Sequence, residues 1–316
     1  MPSADVSFDG ISLATDEVEA CVRDLKVPEV ISCGANFANS ANTVLHLFAL
    51  PIVLAGMGAM EVLASTTAIM AASAMKKSNP TDDRAEISDL KQKFRESVHG
   101  SRANEKMTDL AEMLVAHAVA SPKFAPAGQT LLYAGVVFGW TAFECLAGDL
   151  WTASVNARPS AVMREILDDT DGPHPDGMTS KSISVGLLAR YNFDLRSHMG
   201  TILKGKFEFT NVDGIRRAFA ALGADPILTK RLVDPDLRNF EAARHLIVHK
   251  GAVVDERFRG RVPHGPAVGS ILAVDGAELS RLLNAGLFAG CELLRFVDRW
   301  LGSRTEDPTT EEDVEV

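Results

Sequence analysis

Cysteine is scarce in this sequence. Cys21, Cys33, Cys145 and Cys291 stand far apart and form no CxxC pair, so reduced thiols in a cytosolic compartment are expected. The signatures of several large enzyme classes are absent too: no P-loop, GxGxxG, HExxH or GxSxG occurs. Internal repeats are lacking, as is the alternation of strands and helices that a Rossmann fold or a barrel requires. The first thirty residues are mixed and acidic rather than basic then apolar, so no secretory signal is expected. Positive charge is in short supply, with 32 Lys and Arg against 42 Asp and Glu and a formal net charge of −10. That balance argues against a protein that grips nucleic acid with its whole surface.

What is present is apolar material, 46% of 316 residues, enough for one large or two small domains. Residues 1–35 alternate Val, Ile and Phe with acids and define no firm element. From Val44 to Met60 only His46 is strongly polar, and apolar residues continue past Glu61 to Met75. This run is long enough to cross a bilayer, and Lys76, Lys77 and Arg84 behind it would leave the C-terminal part in the cytoplasm. His46, Pro51, Glu61 and the many small residues weaken insertion. The expectation is therefore a cytoplasmic protein with a pair of buried helices broken near Pro51 or Gly56; the alternative is an inner-membrane anchor through residues 44–75. A polar joint at 78–88 (SNPTDDRAEIS) separates an N-terminal region, 1–85, from a helical domain, 86–303, and residues 304–316 form an acidic tail expected to be disordered.

Within the helical domain, apolar residues recur at helical spacing over Ile87–Val98 and Met107–Val119. Thr130–Val155 predicts one helix of about seven turns, apolar on most of its circumference and central to a bundle. Its two acids, Glu144 and Asp149, are costly to bury without partners. A loop rich in Gly, Pro, His and Asp at 168–178 leads to helices over about Ile183–Leu203 and Gly214–Leu222. Two β-prone runs, Ala252–Val254 and Ser270–Val274, can pair as a small hairpin before a last helix over about Ala277–Leu301. The fold class is all-α, with a β-hairpin-like insertion and an N-terminal apolar helical segment.

Chemistry concentrates in Asp234–Arg261. Asp234 before Pro235 is a natural N-cap, Leu237, Phe240, Ala243 and Ile247 give an apolar face, and Gly251 supplies the stop. The helix so defined ends in Arg244, His245, His249 and Lys250. His245 and His249 share a face, whereas Arg244 and His249 are rotated by about 140° in an ideal helix. For both to serve one substrate, the last turn must loosen or a second copy of the helix must approach.

The run Arg244, His245, Leu246, Ile247, Val248, His249 resembles the Arg-x(4 to 6)-His signature of the HEPN superfamily, helical-bundle proteins that include many metal-independent ribonucleases. The continuation HLIVHKGAVVDERF, the segment GSILAV and the long last helix are similar to the second half of that domain, and GVVFGWTAFECLAGDLWTASVNARP to its first long helix. The resemblance covers about residues 100–303. It implies a HEPN-type helical bundle and a homodimer that cleaves RNA without metal or cofactor and leaves a 2′,3′-cyclic phosphate. A setting in phage defence or toxin–antitoxin control, with an antitoxin or regulatory partner, follows by analogy.

An imidazole can accept the proton of an RNA 2′-hydroxyl, which suits His249, and a guanidinium can stabilise the charge that develops on phosphate, which suits Arg244. His245 would support either group or position the scissile phosphate, and Lys250 would contact phosphate or else stand as a solvated side chain. Glu144 or Asp149 would orient Arg244 or a histidine, or else answer structural partners. The competing reading is equally concrete. A helix C-terminus favours His and Lys through its dipole, and Arg244 can pair with Glu241 or Glu144. The chain would then be a non-catalytic HEPN-like interaction or RNA-binding module, with membrane attachment through residues 44–75. No metal is expected, because His245 and His249 have only His264 nearby as a third ligand and no carboxylate between them.

Overall fold

A computed structural model describes residues 11–75, 83–98, 109, 111–118, 121–159, 178–179, 182–195 and 197–303. Helix dominates them. Helix α1 (Thr15–Arg23) has Asp16 and Glu17 in its first turn and Arg23 in its last, matching the helix dipole. Ahead of α2 (Pro28–Met75), the Asp298 carboxylate accepts from the amides of Lys26 and Val27 at 2.9 and 2.8 Å. Instead of a pair of helices broken at Pro51 or Gly56, α2 runs unbroken for 48 residues. Pro51 removes a single i to i−4 bond, and the glycines stand alone, so neither suffices to end so long a helix.

Helix α3 (Asp83–Val98) begins inside the stretch read as a polar joint, whose residues 78–82 lie outside the described residues. A helical stretch over 111–118 (α4) precedes α5 (Ala125–Ala157). The latter starts earlier than Thr130 because Pro126 falls in its first turn, where a missing N–H costs nothing. Most of the 168–178 loop and the whole 304–316 tail lie outside the described residues. Two-residue strands β1 (Met178–Thr179) and β2 (Ser182–Ile183) pair antiparallel.

The single helix expected over 183–203 is two, α6 (Val185–Arg190) and α7 (Met199–Lys204). Asn192 and Phe193 between them both take left-handed φ values, 51° and 62°, which no helix accommodates. Next come α8 (Val212–Ala220), α9 (Pro226–Leu232), α10 (Pro235–Lys250), α11 (Glu256–Arg261) and α12 (Gly276–Gly302). The runs Ala252–Val254 and Ser270–Val274 meet in one antiparallel bridge, Val253 to Ile271, flanked by backbone bonds, with α11 occupying the connection between them.

The chain divides into two compact units. One unit holds Thr43–Gly135 and Ala273–Glu278, and the other holds Ser12–Asn42, Val136–Leu272 and the chain from Leu279. In the first, Lys91 pairs with Glu61 at 3.2 Å, and the Gln129 amide donates to the Val274 carbonyl. In the second, α5 packs closely on α10 and α12. A methyl group on Gly139 would collide with Leu283 and crowd Phe240, and one on Gly286 would strike the Phe240 ring. Trp140 meets Phe240 edge to face at 5.3 Å, both rings fully buried. Farther along α5, the Trp151 indole donates to the Ala218 carbonyl of α8 at 3.0 Å.

Candidate functional site

Local sequence sets both ends of α10. The Asp234 carboxylate accepts from the Asp236 amide at 2.9 Å with Pro235 in the first turn. At the other end Gly251 and Ala252 adopt left-handed φ values of 58° and 65°, and both amides return to the Leu246 carbonyl. The helix therefore stays regular through Lys250. Its buried stripe is Leu237, Phe240, Ala242, Ala243 and Leu246; Ile247, expected in that stripe, is only half-buried.

This register sends the expected site residues to two places. Arg244 turns inward, its Nη2 3.8 Å from Glu144 Oε2 on α5, with both side chains about four-fifths buried. The pair is electrostatic only. Arg244 Nε, Glu144 Oε2 and the Trp140 Nε1 one turn away are all buried without a hydrogen-bond partner among the described residues. Burial pushes the Glu144 carboxyl above its ordinary range, opposed by the Arg244 charge and by the nearby Trp140 indole. Asp149 does not join them: it faces Lys204 at 3.7 Å.

On the outer side, His245 and His249 lie one turn apart with ring centroids 4.7 Å from each other and planes inclined at 48°. His249 and Lys250 are exposed. Glu241 is engaged elsewhere than with Arg244. Its Oε1 accepts from Arg261 Nη1 at 2.7 Å, and its Oε2 from the Val212 amide at 3.0 Å, at the first residue of α8. Helix α11 is capped by Asp255, which accepts from the Phe258 amide, and anchored by buried Phe258.

His245 holds its proton less tightly than an ordinary histidine. Burial is the first cause, followed by the positive charges of Arg257, His249, Arg261 and Arg244. At neutral pH it is therefore an uncharged imidazole, able to accept or donate a proton. The placement of Arg257 and Arg261 beside it went unread in the sequence. Their four-residue spacing carries meaning only on a helix, and the β-prone runs on either side, Ala252–Val254 and Ser270–Val274, leave the stretch between them without an assigned element; Asp255 as an N-cap is the available signal.

Among the described residues no three His, Cys, Asp or Glu side chains converge in a way that would hold a metal ion. No protein-family model, curated protein or solved structure matches the chain.

Proposed function

We propose that the chain is a metal-independent endoribonuclease of the HEPN type. The observation that carries this reading is the pair of adjacent, mutually tilted imidazoles on the outer side of α10 near its C-terminal end, one of them kept neutral by burial and neighbouring cations. His249 accepts the 2′-hydroxyl proton, His245 supports the proton transfer, and Lys250 contacts phosphate. Arg244 is turned away from His249 and largely buried against Glu144, so the reading requires two copies whose Arg244–His249 segments face each other in a composite cleft, with the Arg244 side chain released from Glu144 into it. The 2′-oxygen bonds to phosphorus as the bond to the 5′-oxygen breaks, and the proton taken by His249 is returned to that leaving oxygen by way of His245, giving a 2′,3′-cyclic phosphate and a free 5′-hydroxyl. A role in phage defence or toxin–antitoxin control, with an antitoxin as regulatory partner, belongs to the same proposal. The test is cleavage of diverse RNAs in EDTA by wild type, His249→Ala and Arg244→Ala, with the product ends identified. Cleavage by wild type alone, leaving cyclic ends, is expected; intact RNA from folded, dimeric wild type would overturn the reading.

A second reading has its own support. Helix α2 is long and apolar enough to cross a membrane, and of its most apolar eighteen residues only 11% are buried, against 44% for α5. Leu50, Val53, Leu54, Met57, Val62 and Met70 are all exposed. At 1.5 Å per residue, an 18-residue window measures about 27 Å, close to the hydrocarbon core of a bilayer. We infer that residues 44–75 attach the protein to the inner membrane, with the C-terminal part in the cytoplasm. On this reading the basic end of α10 serves a non-catalytic module. Carbonate extraction of membrane fractions tests it: retention in the pellet is expected, and release to the supernatant would return the protein to the cytoplasm.

A further inference from the structure

Arg257 has no place in the nuclease reading so far. It is exposed, and among the described residues it makes no ion pair. The carboxylates of Asp255 and Glu256 beside it in sequence, and of Glu241 on the facing helix, are otherwise engaged or turned to solvent. Asp255 caps α11 through the Phe258 amide, Glu241 holds Arg261 and the Val212 amide, and Glu256 is exposed.

Register places Arg257 closely. The contact between Arg261 and Glu241 pins α11 against α10 at one point. One turn back along α11 from Arg261 is Arg257, and one turn on along α10 from Glu241 is His245; each lies on the same face as its predecessor. The chain reverses between the two helices at Gly251 and Ala252, so these steps run side by side and bring Arg257 opposite His245. Consistently, Arg257 exerts the largest charge effect on His245, ahead of Arg261. The face thus carries two imidazoles together with the Arg257 guanidinium and the Lys250 ammonium, neither of which forms an ion pair among the described residues. Such a set leaves an unmet demand for an anion, in a protein whose overall charge is negative.

The geometry points to Arg257 as the phosphate-holding residue of this face, which with His245, His249 and Lys250 binds the phosphodiester backbone of single-stranded RNA. The inference rests on the nuclease reading for its substrate class. A guanidinium grips phosphate oxygens through two parallel N–H groups, and the N–H of a neutral imidazole beside it donates to the adjacent ribose 2′-oxygen, a combination that an acidic peptide does not exploit. Because the cluster is small, it engages one or two phosphates, and binding is modest and steeply salt-dependent.

The experiment uses the full chain and a 2′-O-methyl single-stranded oligonucleotide, which cannot be cleaved, with fluorescence anisotropy read at several salt concentrations. Arg257→Ala should weaken binding about tenfold and reduce the slope of log affinity against log salt by about 0.7. Arg257→Lys should keep the salt slope but lose part of the affinity. Lys230→Ala, a cation of α9 away from this face, should change neither. The same variants are assayed for cleavage of unmodified RNA. If wild type cleaves and Arg257→Ala binds and cleaves like wild type, the inference falls while the nuclease stands. If nothing is cleaved but oligonucleotide binding depends on Arg257, the site stands and the nuclease falls. Absence of binding by wild type, or equal competition by a polyglutamate peptide, would overturn the inference.

Discussion

Removing the Glu241 carboxylate should cost more than removing the arginine it holds. Glu241 is largely buried, 13% exposed at the side chain, and serves two partners at once. Its bond to the Val212 amide satisfies an orphan donor in the first turn of α8, at a residue that is itself buried. A charge-assisted bond of this kind is worth about 1.5–3 kcal/mol, and its loss leaves the amide unpartnered. The ion pair with Arg261 adds less, about 0–1 kcal/mol, because that arginine is 39% exposed and solvent screens it. Glu241→Ala should therefore destabilise by about 2–4 kcal/mol, Glu241→Gln by about half as much since its amide oxygen still accepts, and Arg261→Ala by under about 1 kcal/mol. Chemical denaturation followed by tryptophan fluorescence is a suitable assay, because Trp151 is hydrogen-bonded to α8. Equal costs for Glu241→Ala and Arg261→Ala would refute the assignment of Glu241 as the tie between α8 and α10.

Glu144 has its carboxyl raised in the folded state, so its contribution to stability is present below the unfolded value near 4.5 and is lost as pH climbs through the folded value. Glu144→Gln should accordingly gain thermal stability relative to wild type between pH 5 and pH 7.5; a relative loss over that window would show that the Arg244 charge outweighs burial. His245, with its affinity for protons depressed, should titrate below 6.5 by NMR, and any stability linked to it should be lost as pH falls below 6.5. Arg257→Ala should move that midpoint upward, and an unmoved midpoint would contradict the register of α11 on α10. Phe240→Ala, which empties the space between Trp140, Gly139 and Gly286, should cost about 3–5 kcal/mol; a cost under about 1.5 kcal/mol would mean that α5 and α12 collapse onto the gap.

Helix α10 was legible residue by residue because what defines it is local. Asp234, Pro235 and Gly251 act within a turn of themselves, and the stripe through Leu237, Phe240 and Ala243 follows from helical period alone. The all-α class and the core role of α5 were legible for the same reason. The extent of α2 was not, since Pro51 weighs heavily in a short window and lightly in a helix of 48 residues.

Partnership was beyond the sequence altogether. Arg244 had two candidate carboxylates, and only packing gave it Glu144 while committing Glu241 to Val212 and Arg261. Asp149, one and a half turns beyond Glu144, went to Lys204. Sequence by itself determined which side chains share a helix face, because that depends on a period set by the backbone. Which faces meet, and therefore that Arg244 is drawn inward while His245 and His249 remain outside near Arg257 and Arg261, was decided by tertiary structure, because it depends on how the buried surfaces of α5, α10 and α12 fit together.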